Sequence, residues 1–176
     1  MRYKGLALLL MTLLVATTMR AQYLHQPGDK AIDFEGVTVD GRHYHLYESQ
    51  AERIIVCFWS VDCDYCHDFL KKLRRHVDLK NDYELVTFAL ADDQKQVQRQ
   101  VKRRKLPGWH FFDVNGWDSA PFLDYDVNIT PTIVLIDKEK NVVGEAFDWE
   151  EFRELMRNAE LGIRNGDTII EVKTEK

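Results

Sequence analysis

The sequence predicts an α/β fold, one sheet with helices on both faces, and three observations carry that prediction. Ile54–Trp59 is a continuous apolar run rich in β-branched and aromatic residues, the pattern of a strand buried on both sides. Glu84–Leu90 and Ile133–Ile136 repeat it. Between the first two runs, Phe69, Leu70, Leu73 and Val77 recur at helical spacing among Lys71, Lys72, Arg74 and Arg75, which describes a helix with one buried face.

The elements follow in order. Residues 1–21 have the make-up of a secretory signal peptide: Arg2 and Lys4 at the start, an apolar run from Leu6 to Ala16, and small Ala21 as the cleavage point. The run is too short to span a bilayer. Cleavage after Ala21 is expected despite the neighbouring Arg20, and an uncleaved segment would instead anchor the chain to a membrane. Residues 22–176 then form one domain. A turn at Pro27-Gly28-Asp29 precedes Val37–Val39 and His43–Leu46, which flank Asp40-Gly41; an Asp-Gly pair between alternating runs predicts a β-hairpin.

After the second strand, Asp92-Asp93 open a polar helix with Val97 and Val101 four apart. Its basic end, Arg99 to Lys105, complements the helix dipole. An aromatic-rich connection runs from Trp109 to Tyr125. Ile129-Thr130-Pro131-Thr132 leads into the third strand, and a turn at 137–141 returns the chain through Val142, Val143 and Ala146. Asp148 with Glu151 is a capping pair that opens a last helix through Phe152, Leu155 and Met156. Thr168–Ile170 offers one more edge strand.

With 45% hydrophobic and 30% charged residues, the composition excludes disordered, collagenous and multi-span membrane chains. The first 21 residues hold three positive charges and no acid, so the formal net charge of −5 becomes −8 without them. A domain this acidic is a poor binder of nucleic acid or anionic lipid. Three cysteines cannot all pair within the chain, and two of them lie three residues apart, so structural stapling is not their task.

Cys63-Asp64-Tyr65-Cys66 places two thiols one helical turn apart, where the first central strand gives way to its helix. Free backbone N–H groups and the positive helix end stabilise a thiolate at Cys63, and Cys66 is close enough to attack a mixed disulfide. Two other chemistries share the spelling. C-x-x-C is half of a zinc site, but His43, His45, His67, His76 and His110 are scattered. Cys63 to His67 also spells the C-x-x-C-H of covalent haem attachment, which needs an apolar pocket and a second axial ligand rather than a position behind a β-strand. No metal and no organic cofactor are therefore expected; the redox-active Cys63–Cys66 pair is itself the reactive group. His67 should be the second residue of the helix and partly exposed. Cys57, in mid-strand, reads as an inert packed thiol.

Phe58 to Cys66, Thr130-Pro131-Thr132 and Gly28 to Phe34 together resemble the thioredoxin superfamily, and within it the TlpA-like periplasmic thiol:disulfide oxidoreductases. The resemblance covers residues 26–161. The 65 residues from Cys66 to Pro131 look like the extra helix and strand that this group inserts. It implies a thioredoxin fold with an N-terminal β-hairpin extension and a central helix/strand insertion. It also implies a cis Pro131 packed against the dithiol, with Thr130 offering backbone hydrogen bonds to a substrate. Tyr65 and Trp59 are the candidate aromatic substrate contacts, with Trp109, Trp117 and Phe122 as further neighbours.

Departures from the family pattern are informative. Cys57 stands where thioredoxins carry a buried Asp, Asp62 where a Trp usually precedes the first Cys, and Phe69 where many TlpA-like reductases carry a Glu. Asp62, Asp64 and Asp68 bring acids to the dithiol, and like charge disfavours a thiolate. That points to the reducing end of a range from about −120 mV to about −270 mV. Tyr65-Cys66-His67, in contrast, resembles the turn of periplasmic disulfide isomerases. The expectation is a monomeric, periplasmic or secreted reductant. Its partners would be protein thiols and disulfides of the cell envelope and an upstream electron donor, and it would have no nucleic-acid partner. The rival is a thioredoxin-fold binding module, metal-carrying or redox-inactive.

Overall fold

The computed structural model describes residues 26–79 and 81–161, so the signal peptide expected at 1–21 and the edge strand expected at 168–170 lie outside the described residues. A two-stranded hairpin, β1 (Glu35–Val37) and β2 (His43–His45), precedes the main sheet. The sheet contains β3 (Arg53–Ser60), β4 (Glu84–Leu90), β5 (Trp109–Phe112), β6 (Thr132–Asp137) and β7 (Val142–Ala146), in the order β5-β4-β3-β6-β7. β3 and β5 run parallel to β4, whereas β6 is antiparallel to both β3 and β7. The helices are α1 (Asp64–His76), α2 (Gln94–Arg104), α3 (Ala120–Asp124) and α4 (Trp149–Glu160).

The central strand explains the layering. Because side chains alternate along β3, Ile55, Cys57 and Trp59 face one layer while Ile54, Val56 and Phe58 face the other, and all six are buried. Phe69, Leu70 and Leu73 of α1, Val97 of α2, and Phe152 and Leu155 of α4 cover the first face. The hairpin, the turn that follows it and α3 cover the second, through Tyr44, Leu46 and Phe122 respectively. That second layer is largely aromatic: Phe58 stacks on Phe88, Phe88 stacks on Phe111, and Phe34 meets Phe88 edge-on at 4.9 Å.

Within the described residues the predicted strands and long helices are present, with three differences. The hairpin closes through residues 38–42 rather than through Asp40-Gly41 alone, because Val39 leaves the ladder and donates its N–H to the His110 carbonyl at 2.7 Å. β5 lies inside the stretch that reads as an aromatic connection. Its approach to β4 needs Gly108, where φ is +106° and a Cβ would stand 2.1 Å from the Leu85 carbonyl oxygen. α2 and β5 together are the helix/strand unit between the cysteine turn and Pro131. The third difference is at the last helix, where Asp148 accepts from the Glu151 N–H but the Glu151 carboxylate accepts from Phe147, one residue before the cap.

Glu84 joins the hairpin to the sheet, accepting from Tyr44 Oη at 2.8 Å, Ser49 Oγ at 2.7 Å and Trp109 Nε1 at 3.0 Å. His110, nearly fully buried, is the other polar insert. Its Nε2–H donates to the Leu106 carbonyl at 3.3 Å, which leaves Nδ1 to accept from Thr87 Oγ1 at 2.9 Å, so the ring is the neutral Nε2–H tautomer. Burial lowers its pKa to about 4.

An unfolded His110 takes up its proton near pH 6.5, whereas the folded one resists until about pH 4, so the unfolded chain binds more protons across that window. The stabilisation from a neutral His110 is complete above pH 6.5 and is lost as pH falls towards 4, a change of about 3 kcal/mol. Urea unfolding at pH 7 and at pH 4.5 should show this slope, and His110→Gln should flatten it. An equal slope in the variant would place the effect elsewhere.

Candidate active site

β3 ends at Ser60, and the chain turns through Val61 and Asp62 into α1. Val61 N–H donates to the Leu90 carbonyl at 3.0 Å, tying the turn to the end of β4, and Cys63 N–H donates to the Ser60 carbonyl at 3.3 Å. Cys63 is the N-cap of α1, and its Sγ accepts from the Cys66 N–H at 3.0 Å. A sulfur thus occupies the capping position usually held by Ser, Thr, Asp or Asn. Cys63 and Cys66 are disulfide-bonded, with Cα atoms 5.2 Å apart. Cys63 is partly exposed and Cys66 is fully buried, so only one sulfur is open to attack from outside.

The loop before β6 faces this turn. Cys63 Sγ lies 3.7 Å from the Thr130 carbonyl oxygen, and the Thr130–Pro131 bond is cis. The structure thereby brings Cys63, Cys66, Thr130 and Pro131 together from positions 65 residues apart in the chain. Tyr65, in the first turn of α1, is 84% exposed beside them.

Trp59 does not join them as a substrate contact. It is fully buried because β3 alternation turns it inward with Cys57 beneath α1, and its ring sits 6.3 Å from that of His67. The aromatic gathering is corrected in the same way. Trp109 lies at the far end of the sheet, under Arg42 and bonded to Glu84, while Phe122 packs on Phe58 in the opposite layer and holds Trp117 against itself. His67 is the fourth helical residue rather than the second, and half-buried; burial first, then the charge of Arg104, lowers its pKa.

The acids separate into two kinds. Asp68 pairs with Lys72 at 2.8 Å, and this hydrogen bond holds its carboxyl below the usual range. Asp62 and Asp64 are exposed on either side of Cys63 in the chain. They oppose the helix N-terminus, which favours negative charge at Cys63. Cys57 lies in the middle of the sheet between Thr87 and Ile133, fully buried, and burial pushes its thiol well up. Ile129 and Phe147, missed at the sequence level, also border the site, 54% and 45% exposed. The signal for them was two large apolar residues in polar loop contexts, one beside Thr130 and one beside the Asp148 cap. Among the described residues, no three His, Cys, Asp or Glu side chains gather to hold a metal ion.

This arrangement predicts an order of thiol reactivity. In the reduced, folded protein, iodoacetamide should modify Cys63 first and Cys66 about tenfold more slowly, with Cys57 reacting only after denaturation. Peptide mapping by mass reads all three, and equal rates at Cys63 and Cys57 would contradict the burial pattern.

Comparison with known proteins adds independent findings. No curated protein gives a match. Solved structures do. A thiol-disulfide oxidoreductase from Bacteroides fragilis is 16% identical, covers 74% of this chain and 99% of its own, and has a TM-score of 0.64. A secreted Mycobacterium tuberculosis disulfide oxidoreductase is 18% identical, with 72% and 95% coverage and a TM-score of 0.60. The thioredoxin domain of a thiol-disulfide oxidoreductase from Bacteroides vulgatus is 17% identical, with 78% and 98% coverage and a TM-score of 0.59. These likenesses identify the fold as that of thioredoxin. The AhpC/TSA family matches residues 27–144, which take in the cysteine turn, the Pro131 loop and six of the seven strands in full. On that match, the chain belongs to the AhpC/TSA family.

Proposed function

We propose that the protein is an exported thiol:disulfide oxidoreductase that reduces protein disulfides in the cell envelope. The observation that carries this reading is the pairing of one open and one buried sulfur at the start of α1, with the Cys66 N–H aimed at Cys63 Sγ. In the reduced enzyme the Cys63 thiolate attacks a substrate disulfide, forming a mixed disulfide and expelling one substrate thiolate, which takes up a proton. Cys66, losing its proton, then attacks Cys63 Sγ and expels the second substrate thiol. The Cys63–Cys66 disulfide forms and the substrate disulfide is reduced. An upstream dithiol donor must return two electrons for the next turnover.

The direction of transfer rests on charge. Asp62 and Asp64 raise the energy of a Cys63 thiolate, and a less stable thiolate leaves a more stable disulfide, which favours a reductant. Export rests on the signal-like segment at residues 1–21, and the secreted Mycobacterium tuberculosis neighbour is consistent with it. Thr130 and Pro131 would orient the substrate strand beside Cys63.

Two experiments test this reading. Cys66→Ser should still be attacked by substrates yet fail to release them, so Cys66-dependent mixed disulfides accumulate and are identified by mass. If none forms, and the wild type does not reduce insulin with a dithiol donor, the binding-module rival replaces the enzyme. Separately, Asp62→Asn with Asp64→Asn should move the reduction potential upward by about 30 mV if the acids together are worth about one pKa unit. Equilibration with a glutathione buffer reads the shift, and a potential that is unchanged or more negative would show that the helix terminus outweighs the acids.

A further inference from the structure

We propose that the groove beside the disulfide takes substrate segments in which an apolar side chain and a lysine or arginine flank the reacting cysteine. This rests on the oxidoreductase reading and names the substrate class of that same site. The groove, about 410 Å³, runs from Tyr65 past the Thr130-Pro131 loop to the start of α4. That size suits a short stretch of chain.

Its apolar surface comes from three separate elements. Tyr65 belongs to the first turn of α1, Ile129 to the loop before β6, and Phe147 to the connection between β7 and α4. A single exposed apolar residue needs no explanation, but three that converge on one groove next to a reactive sulfur mark a contact surface. Phe69 and Trp149, beneath them, meet edge-on at 6.2 Å and give the groove a firm floor.

The rim supplies the charge argument. Asp68, Asp148 and Glu150 line the groove, and Lys72 is the one cation among its lining residues. Lys72 is bonded to Asp68 and also feels Glu150 and Asp148. Three acids against one lysine leave the rim negative, even though Asp148 caps α4 and Glu150 also meets Arg153 outside the groove. Asp62 and Asp64 extend the negative field beyond Cys63. A field of one sign along a groove attracts the opposite charge and repels its own. A substrate cation does more than dock: placed near Cys63, it offsets the acids that disfavour the thiolate, so the right partner lowers the cost of the attack it undergoes.

The test uses the reduced wild-type protein and peptides carrying one cysteine activated as a 2-pyridyl mixed disulfide. Attack by Cys63 on the peptide sulfur forms the protein–peptide disulfide and releases pyridine-2-thione, which is followed by absorbance. Two peptides have Phe beside the cysteine and either Lys or Glu two residues away; the third is the Lys peptide with Ser in place of Phe. At an ionic strength of about 20 mM the Lys peptide should react about fivefold faster than the Glu peptide, and the ratio should approach one at about 1 M salt. Glu150→Lys should shrink the ratio at low salt, whereas Glu154→Lys, the same charge change outside the groove, should not. The Ser peptide should be slower than its Phe counterpart at every salt concentration, and Phe147→Ser should erase that difference. A Lys-to-Glu ratio of one at low salt, or equal effects of Glu150→Lys and Glu154→Lys, overturns the proposal. Uncharged 2,2′-dipyridyl disulfide separates the two levels: if it oxidises the reduced wild type while the peptides show no preference, only the substrate class is wrong. If it is also inert, the oxidoreductase reading fails with it.

Discussion

Burial of β3 on both faces is the constraint on which the rest depends. Six consecutive side chains, Ile54 to Trp59, are removed from water, and each apolar one contributes about 1.5–3 kcal/mol only if something covers it. Two covering layers are therefore obligatory. α1, α2 and α4 provide one, and the hairpin with α3 provides the other. The same constraint places the chemistry. A strand flanked by β4 and β6 cannot carry a reactive group along its middle, because positions 54–59 are all packed. The first place where a side chain can meet solvent is the turn beyond Ser60, and Cys63 stands there.

At that turn, two opposing electrostatic influences meet on one sulfur. The helix start directs an N–H at Cys63 Sγ, which favours negative charge there, while the exposed acids of the same turn oppose it. The second sulfur, Cys66, is fully buried, and Cys57, also fully buried, belongs to the same core layer. On the proposed function, reactivity is set by groups at the surface of the turn. This makes it sensitive to the charge of whatever docks there.

The aromatic layer on the far side has a different task. Phe34, Phe58, Phe88 and Phe111 form a run of ring contacts that links the segment before β1 to the centre of the sheet, and Glu84 collects three donors from the hairpin, the loop after it and β5. The N-terminal extension is therefore part of the core and not an appendage. Trp109, which reads from the sequence as a possible neighbour of the dithiol, belongs to this assembly at the opposite end of the sheet.

What was legible in the sequence follows from periodicity and local chemistry. The buried runs of β3, β4 and β6, the amphipathic faces of α1 and α4, the Asp93 and Asp148 caps and the C-x-x-C at a strand-to-helix junction are all properties of near neighbours in the chain, and each appears where expected. By itself the sequence determined an α/β sheet and a reactive cysteine pair at the edge of its central strand. β5 escaped because four residues ending in aromatics carry no period of their own; it exists through pairing with β4 and the room left at Gly108. The fate of each aromatic was equally out of reach, since a Trp has the same composition whether it faces a substrate or a core, and strand alternation under α1 decides that Trp59 is inside. Only the tertiary structure decided that Tyr65, Ile129 and Phe147, as many as 82 residues apart, line one groove with Thr130, whose carbonyl lies 3.7 Å from Cys63 Sγ. The reason is that β6 must cross antiparallel beside β3 to complete the sheet, and in doing so it carries the Thr130-Pro131 loop to the end of β3 that leads into the cysteine turn.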